Sequence, residues 1–136
     1  MHKDFTNYMR DFLLLCKEEL KLNHLPKITW ETNGFANSEQ PTFGMFNNKN
    51  ISIKVELRNR HILDIMRTLA HELVHYKQSL KGEITFNSGE TGSAQENEAN
   101  AVAGIIMRKF NKAHPKAFGS IPIGCKSLIG KAISYD

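Results

Sequence analysis

Two histidines with a glutamate beside the first are the residues of this chain best suited to chemistry. His71, Glu72 and His75 belong to the sequence His-Glu-Leu-Val-His, an HExxH motif. On a helix, side chains four positions apart lie on one face, so both imidazoles can bind one metal ion. Glu72 lies beside them and can act as general base toward a water that the metal activates. The motif predicts a zinc hydrolase site, and two surface or core histidines without a metal are the alternative.

A catalytic zinc ion usually takes three protein ligands, so the motif needs one more. The next predicted helix opens with Glu-Asn-Glu-Ala-Asn at 96–100 and supplies two carboxylates. Glu96 shares a face with small residues that allow close helix packing, whereas Glu98 points about 200° away around the helix. We therefore favour Glu96 as the third ligand over Glu98. Asn100, one turn further on, can accept a hydrogen bond from a ligand histidine. The alternative is that both glutamates only stabilise the helix N-terminus.

These two segments together resemble the gluzincin zinc metallopeptidases, in which a helix with Glu-x-x-Ala-Asn/Asp follows HExxH after about twenty residues. The sequences at 68–78 and 96–100 are also similar to small metallopeptidases encoded by tailed bacteriophages. The predicted strand Thr-Phe-Gly-Met-Phe at 42–46 adds to that likeness. The resemblance covers about residues 41–110.

The resemblance implies roles for individual residues of this chain. It implies that His71, His75 and Glu96 hold one zinc ion per chain. It implies that Glu72 is the general base and that the substrate is a protein or peptide. Asn100 departs from the thermolysin-type pattern, which has Asp at that place, so the layer behind the ligands would be neutral here.

The transition state of peptide hydrolysis needs a donor for the developing oxyanion in addition to the metal. Candidate donors are Tyr76, His114 and Tyr135. Tyr76 falls on the apolar stripe of its helix, which favours core packing. His114 precedes Pro115 and would have to fold back over the site, the alternative being a solvent-exposed histidine.

The periodicity of apolar residues indicates the elements that position the site. Predicted helices cover 4–22, 60–79 and 94–110, and predicted strands cover 27–32, 42–46 and 51–57. We expect an α+β fold, a minimal zincin-like domain spanning 1–136 in which a small, mostly antiparallel sheet packs on the HExxH helix and a second metal-ligand helix. Residues 111–136 follow no clear pattern.

In the resembled family, a strand at the sheet edge beside the active-site helix binds the substrate backbone. The segments 42–46 and 51–57 are both candidates for that strand, and the sequence leaves open which of them is the edge. An ordinary structural hairpin is the alternative reading of the same two strands.

Composition and charge narrow the class of protein. Hydrophobic residues make up 40% and charged residues 24% of the chain, which excludes a fully disordered or fibrous protein. The net charge is +4, and residues 108–136 alone contribute +5. This basic end permits a nucleic-acid partner and hence a second hypothesis, a DNA-associated protease similar to the SprT type, which takes a third histidine as ligand. A third hypothesis is a non-catalytic, zinc-containing structural or interaction module.

Two further features bear on location. The two cysteines, Cys16 and Cys125, form no CxxC pair and indicate a reducing compartment. No signal peptide is recognisable, and the longest apolar stretch, 101–107, is too short to cross a bilayer. We expect a cytoplasmic protein without a membrane partner, in the host cytoplasm if the gene is phage-encoded.

Overall fold

The chain folds into an α+β arrangement, which confirms the predicted class. The computed structural model describes residues 5–31, 44–57, 60–83 and 93–115. Within these residues there are three helices and one three-stranded sheet. The elements are α1 (Phe5–Glu19), β1 (Lys27–Glu31), β2 (Gly44–Asn47), β3 (Ser52–Glu56), α2 (Ile62–Leu80) and α3 (Ala94–Ala113).

The sheet is mixed, with β3 between the other two described strands. β3 runs parallel to β1, with Ile28 opposite Ile53, and antiparallel to β2, with Phe46 also opposite Ile53. The expectation of a mostly antiparallel sheet is therefore wrong. The β2–β3 hairpin is antiparallel, but β3 also pairs with β1, and that pairing is parallel. β2 lies at an edge of the described sheet and β3 at its centre. Positions 42–43 of the predicted strand 42–46 lie outside the described residues.

The turn before β3 shortens the predicted strand. Asn47 Oδ1 accepts hydrogen bonds from the backbone N–H groups of Lys49 and Asn50, which closes the turn. Ile51 has a φ of 51° in the left-handed region and is 37% exposed, so it belongs to the turn. The predicted inward face of β3 is correct from Ile53 onward, since Ile53, Val55 and Leu57 are buried.

Helix α2 is the element against which the others pack. It contacts α3 and α1 as well as β2 and β3. The ring nitrogen Nδ1 of His61 accepts from the Leu63 N–H and caps the helix start. The buried Arg60 guanidinium donates to the Glu56 carbonyl and to the Thr68 hydroxyl. This cation therefore fixes the end of β3 against the first turns of α2.

Small residues let α3 approach α2, as the sequence predicted, but only two of the four small residues in 99–104 are buried. Ala99 and Ala103 are fully buried, and so is Ala70 on α2. Ala101 is exposed and Gly104 is half-buried, so these two do not form the contact face. Without large side chains at the contact, the first turn of α3 comes close enough to α2 for a short carboxylate to reach it.

Helix ends differ from the predicted ones by a few residues. α1 ends at Glu19 because Lys21 takes a left-handed φ of 54°. α3 continues to Ala113, beyond the predicted end at 110, and His114 caps it through its backbone N–H to the Phe110 carbonyl. Most of the basic C-terminal segment, 116–136, lies outside the described residues. Among the described helices, none has the length and apolar character needed to cross a membrane.

Gly44 allows β2 to lie directly on α2. A Cβ atom at this position would overlap the Thr68 Cγ2 methyl group and would lie 3.2 Å from Glu72 Cγ. The backbone of β2 therefore forms part of the surface that covers Glu72. A side chain at residue 44 would force the strand away from the helix.

We expect Gly44→Ala to lower the free energy of unfolding by about 1–3 kcal/mol, because the new methyl group overpacks the strand–helix contact. Urea unfolding followed by circular dichroism measures this change. Gly104→Ala is the matched control, since its Cβ would meet only the flexible Arg108 side chain, at 3.4 Å. Alanine is favoured over glycine within a helix, so this variant should gain about 0.5–1 kcal/mol. Equal effects of the two substitutions would contradict the close contact at Gly44.

Candidate metal centre

Helix α2 places its two motif histidines side by side. His71 and His75 lie one turn apart, with ring centroids 4.8 Å apart and rings inclined at 80°. Their Nε2 atoms are 3.2 Å apart, so both point at the same small region of space. Two nitrogen ligands thus come from one rigid helix, as the four-residue spacing predicts.

Helix α3 brings a carboxylate to this pair. Glu96 Oε1 lies 2.9 Å from His71 Nε2, and Glu96 Oε2 lies 3.0 Å from His75 Nε2. Ser93 caps the helix by accepting from the Glu96 backbone N–H at 3.0 Å. The Ser-x-x-Glu pattern often returns its glutamate side chain to the cap, but here that carboxylate faces the histidines. The first turn of a helix also favours a negative charge.

The three side chains form one group that is partly open to solvent. The side chains of His71, His75 and Glu96 are 19%, 10% and 23% exposed, respectively. Burial lowers the pKa of His71, and the neighbouring His75 also lowers it, although the Glu96 carboxylate opposes this. A lowered pKa favours the neutral imidazole, which is the form that binds a metal.

Glu72 lies beside the group and under β2. It is 7% exposed, and burial raises its pKa to about 7. The interaction with His75 lowers that pKa and the negative charge of Glu96 raises it. Its Oε2 atom is buried and has no hydrogen-bond partner among the described residues. A buried carboxylate oxygen without a hydrogen-bond partner destabilises the fold, so a purely structural role does not account for it. This atom can instead bind a proton or a water molecule.

Asn100 lies one turn after Glu96, and its side chain is one of the groups that raise the pKa of His71 against the effect of burial. A raised pKa favours the protonated ring, as expected of an amide oxygen that faces a ring N–H. The structure therefore brings Asn100 to the histidine pair, in the place that the sequence assigned to it.

Gln78 is a residue of the site that the sequence analysis missed. It is 1% exposed, and its Oε1 atom lies 2.8 Å from His75 Nδ1. Its Nε2 atom donates to the Gln95 carbonyl and to Glu98 Oε1, at 2.9 and 2.7 Å. Glu98, the competitor for third ligand, is thus placed behind His75 by way of Gln78. The spacing of three residues from His75 on one helix was the available signal for Gln78.

The two candidate oxyanion donors in the described part of the chain, Tyr76 and His114, make their ring contacts with Phe46 and Phe110. Tyr76 is 7% exposed, and its ring packs edge-on against Phe46 of β2 at 6.3 Å. His114 lies 18 residues beyond Glu96 on α3, which at helical rise is about 27 Å. It stacks on Phe110 with a centroid distance of 4.6 Å. Tyr135 lies outside the described residues.

The donor set fits a divalent metal ion. Two imidazole nitrogens and one carboxylate form a group able to hold a metal, and no other such group occurs in the described ranges. A tetrahedral ion with bonds of about 2.0–2.1 Å separates its ligand atoms by about 3.3 Å, close to the distances in this group. Since Nδ1 of His75 faces an amide oxygen, a neutral His75 turns its Nε2 lone pair toward the Glu96 carboxylate. Two such acceptors need a cation or a proton between them.

Comparison of the chain with protein-family models, with curated proteins and with solved structures gives no match. The functional assignment therefore depends on the arrangement of the site itself.

The raised pKa of Glu72 predicts that this residue makes the metal-free chain less stable as the pH rises. Because this pKa is about 7 in the folded state against an ordinary 4.5, the folded chain holds the proton more tightly. The contribution of Glu72 to the free energy of unfolding therefore falls as pH rises from 4.5 to 7. We expect Glu72→Gln to stabilise the metal-free chain at about pH 8, by on the order of 3 kcal/mol at most, and to change little at about pH 4.

Urea unfolding of the wild type and the variant in the presence of a chelator measures this difference. A stability difference that is the same at both pH values would show that Glu72 titrates as an ordinary carboxylate. Glu18→Gln, at an exposed position of α1, serves as the control for loss of a negative charge.

Proposed function

We propose that this chain is a zinc-dependent metallopeptidase that hydrolyses peptide bonds. The observation that carries the proposal is the convergence of His71, His75 and Glu96 within 3.2 Å, with the buried carboxylate of Glu72 beside them. Two histidines and one carboxylate are the ligand set of a known class of catalytic zinc sites. The resemblance of the HExxH and Glu-x-x-Ala-Asn segments to the gluzincins supports the same reading.

A catalytic site suits this arrangement better than a structural one. Structural zinc sites usually have four protein ligands, often cysteines, whereas the described residues contribute three donors to this group. Its ligand side chains are partly exposed, so a fourth position can be reached from solvent. The glutamate at the third position also differs from the histidine of SprT-like proteases, which favours the Glu-type peptidases.

When bound, zinc would act as a Lewis acid toward a water molecule and the substrate carbonyl. In our proposal, Glu72 takes a proton from the attacking water at its unpartnered Oε2 atom and later gives that proton to the leaving amine. Burial raises the pKa of Glu72 to about 7 in the metal-free chain, and a bound cation would lower it toward the ionised form that a base requires. In the same proposal, Asn100 orients His71 by accepting from its ring N–H.

The edge strand β2 supplies a surface for an extended substrate. It lies at the edge of the described sheet, and Gly44 brings its backbone against Glu72. We propose that a peptide adds to β2 by backbone hydrogen bonds, which would place a peptide bond next to the catalytic carboxylate. Of the two strands that the sequence offered for this role, the other one, β3, is the central strand.

Metal content tests the ligand set. We expect one zinc ion per chain after dialysis of the full-length protein against zinc and then buffer, measured by elemental analysis. Glu96→Ala should lose most of this zinc, because two nitrogen ligands alone hold the ion weakly. Glu19→Ala, which removes the carboxylate paired with Lys109 near the far end of α3, should retain it. A folded wild-type chain that takes up no zinc would overturn the proposal.

Cleavage of a fluorescence-quenched peptide library tests the activity. We expect the zinc-loaded wild type to cleave peptides and a chelator to stop it. Glu72→Gln should keep its zinc but lose about 10²–10⁴-fold in rate, since general base catalysis contributes that much. Glu18→Gln should cleave at the wild-type rate. Cleavage that survives Glu72→Gln, or zinc-loaded protein without any cleavage, would contradict the proposed mechanism.

A further inference from the structure

The amide of Gln78 is the most fully bonded buried side chain next to the candidate ligands. It lies three residues after His75 on α2 and is 1% exposed. One of its atoms contacts His75, and the other contacts the backbone of Gln95 and the side chain of Glu98 on α3. These three bonds join a ligand histidine to the neighbouring helix.

The partners on α3 determine which way this amide points. The Gln95 carbonyl and the Glu98 carboxylate are both acceptors, so the –NH₂ group of Gln78 must face them. The reversed amide would set its oxygen against two acceptor oxygens and turn its –NH₂ group away from both of them. The Gln78 oxygen therefore faces His75 Nδ1, at 2.8 Å.

The amide orientation in turn determines which nitrogen of His75 carries the proton. An oxygen opposite Nδ1 requires Nδ1 to be the N–H donor. A neutral His75 then has its lone pair on Nε2, and this is the atom that faces His71 and Glu96. We propose that Gln78, oriented by Glu98, is the positioning residue that holds His75 in its metal-binding tautomer. The identity of the ion in this inference rests on the function proposed above.

The same amide also positions the third ligand. Gln95 and Glu98 flank Glu96 in the first turns of α3, and Gln78 donates to both of them. Loss of the Gln78 amide would therefore loosen the link between α2 and the turn that carries Glu96. Glu98, which does not face the histidine pair, acquires a role as the charged acceptor behind the ligand.

Substitution of Gln78 with two independent readouts tests this inference. Gln78→Met keeps the length of the side chain and removes all three bonds, and Lys77→Met makes the same new side chain one position earlier on α2. The exchange Gln78→Glu with Glu98→Gln keeps an acceptor oxygen for His75 and returns a donor from residue 98, but it gives up the bond to the Gln95 carbonyl. Nitrogen-15 NMR of the imidazole rings, at a pH where they are neutral, reports the tautomer of His75 in the full-length, metal-free chain. Competition with a chromophoric chelator reports the zinc affinity.

We expect the wild type and Lys77→Met to show the Nδ1–H tautomer at His75, and Gln78→Met to lose it. Zinc affinity should fall about 10–100-fold in Gln78→Met, the usual effect of removing a partner of a ligand histidine. The exchanged double variant should keep the tautomer and recover part of the affinity, since the bond to the Gln95 carbonyl is not restored. Rescue of this kind separates hydrogen bonding from packing, because methionine fills the same space.

Two results would overturn the inference. These are an Nε2–H tautomer at His75 in the wild-type chain, or unchanged zinc affinity in Gln78→Met. The tautomer is read without metal, so an Nε2–H result in the wild type overturns the inference even if Gln78→Met fails to fold. Failure of the wild type to bind zinc, with the tautomer as expected, would instead count against the proposed function alone.

Discussion

The contact of one carboxylate from α3 with two imidazoles from α2 is the interaction on which the site depends. Glu96 reaches His71 and His75 because Ala99 and Ala103 let the helices lie close together. These charged and polar groups are partly buried, so they need compensating partners. The hydrogen-bonded amides behind the imidazoles, together with the capped first turn of α3, supply such partners and limit how far the ligands can move.

The rest of the fold holds α2 in place between this contact and the sheet. On one side, the Arg60 guanidinium binds the end of β3 and the Thr68 hydroxyl. At the same turn of α2, Gly44 lets β2 lie against Thr68 and Glu72. The catalytic candidate Glu72 is thus enclosed by the packing that builds the α2–β2 contact. Its raised pKa follows mainly from that enclosure, because burial disfavours the charged carboxylate.

Local patterns in the sequence predicted much of the fold and of the site. The α+β class, the six described elements and the pairing of His71 with His75 depend on periodicity and on spacing along helices, which are local properties. The choice of Glu96 depended on small residues that let the two helices pack closely and on the family resemblance. The parallel β1–β3 pairing and the edge position of β2 depend on long-range contacts that spacing does not encode. Gln78 was missed because its role arises from Glu98, twenty residues later on another helix. His114 was offered for a site that lies at the other end of its own helix.

Main chain at Gly44 forms part of the surface that covers Glu72, and this limits how the site can change. A wall built from side chains can be reshaped by single substitutions, whereas a wall built from backbone can change only if the strand itself shifts. A larger residue at position 44 would collide with Thr68 and displace the strand. The shape of this surface would then change only with the position of the strand, for example through insertions or deletions in the segments that flank it. A ligand that contacts this backbone surface would therefore be difficult to exclude by a single substitution.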